Sequence, residues 1–284
     1  MTHTKKEKWT TIIKPKKGIF DFDFGEIISY KDLLIMYVKR DITTQYKQTI
    51  LGPLWFFISP LLTTAMYMVV FGGIAKIPTD GIPQPLFYLS GICLWNYFSV
   101  CLTINSNTFV NNAGVFGKVY FPRIIMPLRT VISCLITLGI QLILFLGVYV
   151  YYILQGFPVA PNIFILLVPV LIIMLAGLSI GFGIISSSLA TKYRDLRILL
   201  GFIVQLWMYA TPIIYPLSMM SPNRQWIAAL NPITSIVETF KYATLGRGIV
   251  SWTHLGYSFA FMCVVMTIGI LMFNRVQRSF MDTV

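Results

Sequence analysis

From Thr130 to Thr191 the chain runs for 62 residues without one Asp, Glu, Lys or Arg. Four further charge-free runs, 48–75, 81–117, 198–223 and 248–274, also exceed the roughly 20 residues that a helix needs to cross about 30 Å of hydrocarbon. A chain with this pattern has lipid as its main solvent. Composition agrees, because 56% of residues are apolar and only 11% charged, against about 25% charged in an ordinary water-soluble domain. Disordered, collagen-like and disulfide-stapled classes are excluded on the same grounds; Cys93, Cys101, Cys134 and Cys263 all lie in apolar stretches and are expected as packed thiols.

The longest run is too long for one helix, and Gln155-Gly156-Phe157-Pro158-Val159-Ala160-Pro161-Asn162 breaks it with turn residues near its middle. Six spans result, at about 50–75, 86–106, 127–153, 163–190, 198–216 and 255–274. The expected fold is an all-α membrane protein. An even number of spans puts both termini on one side. That side collects 18 of the 22 Lys and Arg residues, ten of them in 1–49, and the other side only Lys76, Arg224, Lys241 and Arg247. The positive-inside rule places the basic side in the cytoplasm. Residues 1–49 mix ten basic with six acidic side chains and lack the short apolar core of a signal peptide.

Two segments are not spans. The tail to Lys17 is basic; from Glu26 to Gln48, Ile27, Tyr30, Leu34, Tyr37, Val38 and Ile42 recur at helical spacing beside charged Lys31, Asp32, Lys39, Arg40 and Asp41, which predicts an amphipathic helix lying on the membrane. Residues 1–49 thus form a cytoplasmic tail and surface helix, and 50–284 the six-span domain. Within the latter, 217–248 is too polar for a span and too apolar for a solvated loop. Ser221-Pro222 and Asn231-Pro232 each have the form of an N-cap followed by proline at the first helical position, and Gly246 can end the second piece. Two short outer helices are predicted, packed through Trp226, Ile227, Leu230, Ile233, Ile236, Val237 and Phe240, with Glu238 and Lys241 close enough to pair or to flank an exit mouth.

The only histidines are His3 and His254, so no histidine-based metal site or catalytic triad is available, and no catalytic residue is assigned. Gly114-Val115-Phe116-Gly117-Lys118 is not a phosphate loop: Asn112 stands five positions before Gly117 where a glycine is required, and Val119 follows the lysine. The basic residues cluster between spans and mark topology, not nucleic acid binding. Span centres without ionisable groups disfavour an ion-driven carrier. Gly177 and Gly181 form a small-xxx-small pair suited to close helix packing. Aromatic side chains are abundant in the spans and at their ends. Trp55, Tyr67, Tyr97, Trp207, Tyr209 and Tyr215 are candidates either for interfacial belts or for the lining of a sugar pathway, whose shallow stacking contacts suit a sliding polymer.

The run Gln45-Tyr46-Lys47-Gln48-Thr49-Ile50-Leu51-Gly52-Pro53-Leu54-Trp55, then Ser59-Pro60-Leu61-Leu62, resembles the entry to the first span of permease subunits in type-2 ATP-binding-cassette exporters of the polysaccharide and O-antigen branch. Phe121-Pro122-Arg123 with Met126-Pro127-Leu128, Arg194-Asp195-Leu196, Thr211-Pro212-Ile213 with Tyr215, and Asn231-Pro232 are similar to that family's later landmarks, in order and spacing.

The resemblance implies a homodimer in the bacterial inner membrane with its channel between the subunits. It also implies two separate ATPase subunits that bind ATP and Mg, so this chain carries no cofactor of its own. Cytoplasmic loops at about 107–120 and 191–197 correspond to the family's coupling helices, with Gly117, Lys118, Arg194, Asp195 and Leu196 as ATPase-contacting candidates. The amphipathic helix corresponds to the family's interface helix, and 217–248 to its re-entrant outer gate, with Glu238 and Lys241. The implied cargo is a polysaccharide on a polyprenyl diphosphate, for which Lys39, Arg40 and Lys47 are entrance cations. An exporter of drugs or lipids and a membrane-embedded glycan-assembly enzyme are the alternatives.

Overall fold

The computed structural model describes residues 24–47, 49–158, 161–193 and 195–279, and every regular element among them is a helix. The basic tail, Gln48 and Arg194 lie outside the described residues. Five helices are long and apolar enough to cross a membrane. The first, Gly52–Ile74, is built from a short 3-10 turn, α3 (Trp55–Tyr67) and a π-helical turn (Met68–Ile74). The others are α4 (Gln84–Asn105), α7 (Ile125–Leu154), α8 (Val168–Ala190, extended backwards by a 3-10 turn from Ile163) and α12 (Trp252–Ser279). The break expected at 155–162 is present, with Gly156 at φ 81° closing the turn after α7.

The expected fifth crossing is shorter than hydropathy implies. Helix α9 (Leu196–Tyr209) has 14 residues, about 21 Å at helical rise, and does not meet the length of a span by itself. Hydropathy continues to Tyr215, but Pro212 and Pro216 have no N–H to continue a helix, and Thr211, Pro212, Ile213 and Ile214 turn inward as buried irregular chain.

The core sits on α4. Leu86, Phe87, Tyr88, Leu89, Ile92, Leu94, Phe98 and Leu102 are all essentially inaccessible, and α7, α8, α9 and α11 (Pro232–Leu245) pack around them. Helices α8 and α12 approach closely through glycine. A Cβ on Gly177 would lie 2.5 Å from the Met262 sulfur, and one on Gly181 2.8 Å from Val265. The small-xxx-small pair thus admits α12 side chains at Gly177 and the α12 backbone at Gly181 close against α8.

A second cluster lies at the opposite end from the outer helices. The expected surface helix is two helices, α1 (Phe24–Ser29) and α2 (Lys31–Tyr46), which break at Tyr30. Its charged residues Lys31, Asp32, Lys39 and Arg40 are exposed as expected, but its apolar face meets protein. Tyr37 is buried with Phe109, Phe116, Phe121, Ile125, Met126, Ile184 and Phe273. Two four-residue helices, α5 (Thr108–Asn111) and α6 (Ala113–Phe116), carry the loop part of this cluster, and the Phe109 ring stacks on Phe273 at 4.6 Å.

The outer segment folds as expected into α10 (Pro222–Ala229) and α11. The Asn231 side chain accepts from Ile233 N at 3.1 Å and Gly246 ends α11 at φ 70°, whereas Ser221 caps α10 by position without a side-chain bond. One expectation fails: Trp226, Ile227 and Leu230 are exposed, because α11 alone fills the space against the spans. Cys263 is likewise exposed on α12, while the other three cysteines are buried.

Candidate functional site

A cavity of about 570 Å³ opens between the end of α2 and helices α3, α4 and α7. Its wall on α7 is a polar stripe in an apolar helix. Arg129, Ser133, Thr137 and Gln141 recur at strict spacing of four and descend about 18 Å along one face. Facing them are Trp55 and Ser59 from α3, Asn96 and Tyr97 from α4, and Asp41 and Gln45 from α2. At the mouth Arg129 Nη1 donates to both Asp41 carboxylate oxygens, at 2.6 and 2.7 Å, and Arg40 Nη2 donates to the same carboxylate at 3.0 Å. Both guanidinium groups lie against the Tyr37 ring, at 4.6 Å for Arg40 and 5.4 Å for Arg129. Behind the cavity surface, Tyr97 Oη, Ser133 Oγ and Arg129 Nε are inaccessible and have no hydrogen-bond partner.

Sequence reasoning placed Trp55 and Tyr97 on a candidate pathway, and they share this cavity. It missed Asp41 with Arg129, because an ion pair across 88 positions leaves no local trace. The four-residue polar repeat on α7 was legible and would have found the wall.

The other aromatic candidates lie elsewhere. Tyr67 bridges α3 to α9 by donating to the Met208 sulfur at 3.3 Å, and stands edge-on to Tyr88. Trp207 packs edge-on against Phe98 at 5.3 Å and Phe182 at 5.1 Å, with its N–H donated to Asn231 Oδ1 at 3.0 Å. Tyr209 is exposed at the end of α9, and Tyr215 donates to its carbonyl at 3.2 Å. Among the candidate cations at the entrance, Lys39 and Lys47 are exposed and Arg40 is held by Asp41.

The outer pair is buried. Lys241 Nζ lies 3.7 Å from Glu238 Oε1 and 3.8 Å from the centre of the Phe87 ring, and donates to the Pro212 carbonyl at 2.6 Å. That carbonyl belongs to the turn that ends α9. Asn231 Nδ2 holds the same turn, donating to Ala210 O and Thr211 Oγ1. The pair therefore ties α11 to the chain after α9, and Asp80, which accepts from Ser218 Oγ at 2.7 Å, ties in the loop before α4.

At the opposite end, Gly117 and Lys118 form an exposed tip after α6, and Asp195 is exposed at the start of α9 with Leu196 half-buried. The tip stands on a firm base. Arg123 Nη1 donates to the Gln277 carbonyl of α12 at 2.7 Å and lies over the Phe116 ring, and Tyr120 donates to Glu26 of α1 at 3.1 Å. Partial desolvation and the Glu26 carboxylate hold the Tyr120 phenol above its ordinary range, and burial lowers the Arg123 guanidinium.

The model of the family described as ABC-2 type transporter matches residues 32–245. The chain is 26% identical over 257 residues to the O-antigen export system permease protein RfbA of Klebsiella pneumoniae, covering 88% of this chain and 94% of that protein. Its identity to the RfbA permease of Myxococcus xanthus is 27% over 221 residues, 76% of this chain and 81% of the relative. To the inner membrane transport permease YadH of Escherichia coli it is 24% over 202 residues, 66% and 75% of the two chains. With the matched region running from α2 to the end of α11, this multi-pass chain belongs to the ABC-2 type transporter family.

Proposed function

We propose that this chain is the membrane-spanning subunit of an ATP-driven exporter that moves lipid-linked polysaccharide of the O-antigen type across the bacterial inner membrane. The observation that carries the reading is the similarity to two O-antigen export permeases over most of the chain. The subunit works as a homodimer with two ATPase subunits, which hold ATP and Mg and perform all hydrolysis. The outward faces of α3 and α9, with Leu62, Met66, Leu199, Phe202 and Leu206 exposed, support a dimer that encloses its channel between these helices. Helix α9 and residues 210–216 together complete a sixth crossing, so both termini are cytoplasmic.

The tip at Gly117 and Lys118 and the turn at Arg194, Asp195 and Leu196 engage the ATPases. Closure of the ATPases pushes the cluster around Phe109, Phe116 and Phe273, and the push alters the channel. Trp55, Tyr67, Tyr97, Trp207, Tyr209 and Tyr215 serve the pathway, Lys39, Arg40 and Lys47 attract the diphosphate, and Glu238 with Lys241 steadies the outer gate. The test is purification in mild detergent with its partner, together with deletion of the chain in its host. A stoichiometric phosphate-loop ATPase and accumulation of lipid-linked glycan inside the cell are expected. Loss of small-amphiphile efflux with normal surface glycan would instead identify an exporter of drugs or lipids, and a chain that purifies alone would favour the glycan-assembly enzyme.

A further inference from the structure

The cavity between α2, α3, α4 and α7 combines features that select a ligand chemistry. Its charged lining residues, Asp41 and Arg129, are paired with each other, so a phosphate entering it would meet a carboxylate on the same wall. A hydrocarbon tail would strip water from Gln45, Ser59, Asn96, Thr137 and Gln141 without offering them a partner. A hydroxylated, uncharged ligand does neither. The side-chain amides of Asn96 and Gln141 offer both donors and acceptors to such a ligand, and Trp55 offers an apolar face for its C–H groups. The volume of about 570 Å³ lies within the range of small-molecule sites.

We infer that this cavity is a glycosyl-binding site inside each subunit, occupied by a neutral hydroxylated segment of the polymer and separate from the α3 and α9 faces assigned to the dimer channel. The inference rests on the polysaccharide reading and adds to it a site, a ligand class and new residues: Ser59, Asn96, Gln141 and the Asp41–Arg129 pair.

The test uses the full chain, tagged, expressed with its ATPase in cells that make the polymer. Photoreactive azidophenylalanine is placed at Thr137 in the cavity, at Leu199 on the exposed face of α9, or at Ile143 on the exposed face of α7. After irradiation the subunit is purified under denaturing conditions and its glycan is detected by periodate oxidation and hydrazide staining. Glycan attached at position 137 is expected, reduced at least fivefold by Gln141→Leu; Ser59→Ala, which removes a single atom from the facing wall, lowers it about twofold and covers the case in which the larger change fails to insert. Glycan at position 199 with none at 137 overturns the site and leaves the polysaccharide reading standing. Lipid adducts alone at 137 also overturn it. No glycan at any position, with surface polymer unchanged on deletion of the chain, removes the polysaccharide reading itself.

Discussion

The first and second spans have almost the same length, 23 and 22 residues, yet three residues of the first are buried and fifteen of the second. Helix α4 is surrounded by its own subunit. The first span touches it along one side, carries Pro60 within α3, passes into a π-helical turn, and turns the rest outward. Exposure of apolar groups costs little in lipid, so the contrast is one of mechanical constraint more than of hydrophobicity. A span packed on every side has one position. A span packed on one side, next to a cavity, can shift without rebuilding the core.

The contrast can be broken first at the buried outer pair. Lys241→Met leaves Glu238 without its cation and the Pro212 carbonyl without its donor, and a loss of about 3–5 kcal/mol is expected, seen as a fall in thermal unfolding temperature and membrane abundance. Adding Glu238→Gln should recover part of it; no recovery would mean that the tie to Pro212 outweighs the charge pair. Phe98→Ala on α4 should cost a similar amount, about 3–5 kcal/mol, by opening a cavity beside Trp207. Next in size is Gly177→Ala, whose new methyl meets Met262 on α12; a loss of about 1–3 kcal/mol is expected, and a neutral result would show that the Met262 side chain swings away. At the other extreme, Leu62→Ala on the outward face of α3 should change subunit stability by less than about 0.5 kcal/mol. Tyr209→Ala with Tyr215→Ala should reduce polymer export more than protein abundance; equal losses of both would return these rings to a packing role.

How much was legible depended on the range of the interaction. Turn and cap chemistry is local, and so Gln155–Asn162, Asn231-Pro232 and Gly246 could be assigned from neighbouring residues alone. The apolar spacing of α2 was also legible, but not its partner: period tells which side of a helix is apolar, and Tyr37 joins the cluster of Phe109 and Phe273 only because the chain returns from far away. The length of the fifth crossing was overestimated because hydropathy sums side chains and ignores that Pro212 and Pro216 cannot continue the helix. Trp226 and Ile227 were assigned inward by spacing that continued across the break at Asn231, where the chain in fact changes direction. In the cavity, the α7 wall was readable as a repeat of four, whereas the convergence of α2, α3 and α4 upon it belongs to the tertiary fold.

The glycine contacts between α8 and α12 also determine how a displacement would travel. From Ser258 to Phe273 the last helix is about 22 Å long, and the close seam with Gly177 and Gly181 keeps it from bending away. One end is gripped by the Phe109 ring and by Arg123 at Gln277, and the other by Ser235 of α11, whose hydroxyl lies 2.6 Å from that of Ser258. The helix is thus a connecting rod. A displacement imposed at Phe109 and Arg123 would be carried along this helix to Ser235 of α11 as a translation, without any charge or ligand having to pass along the way.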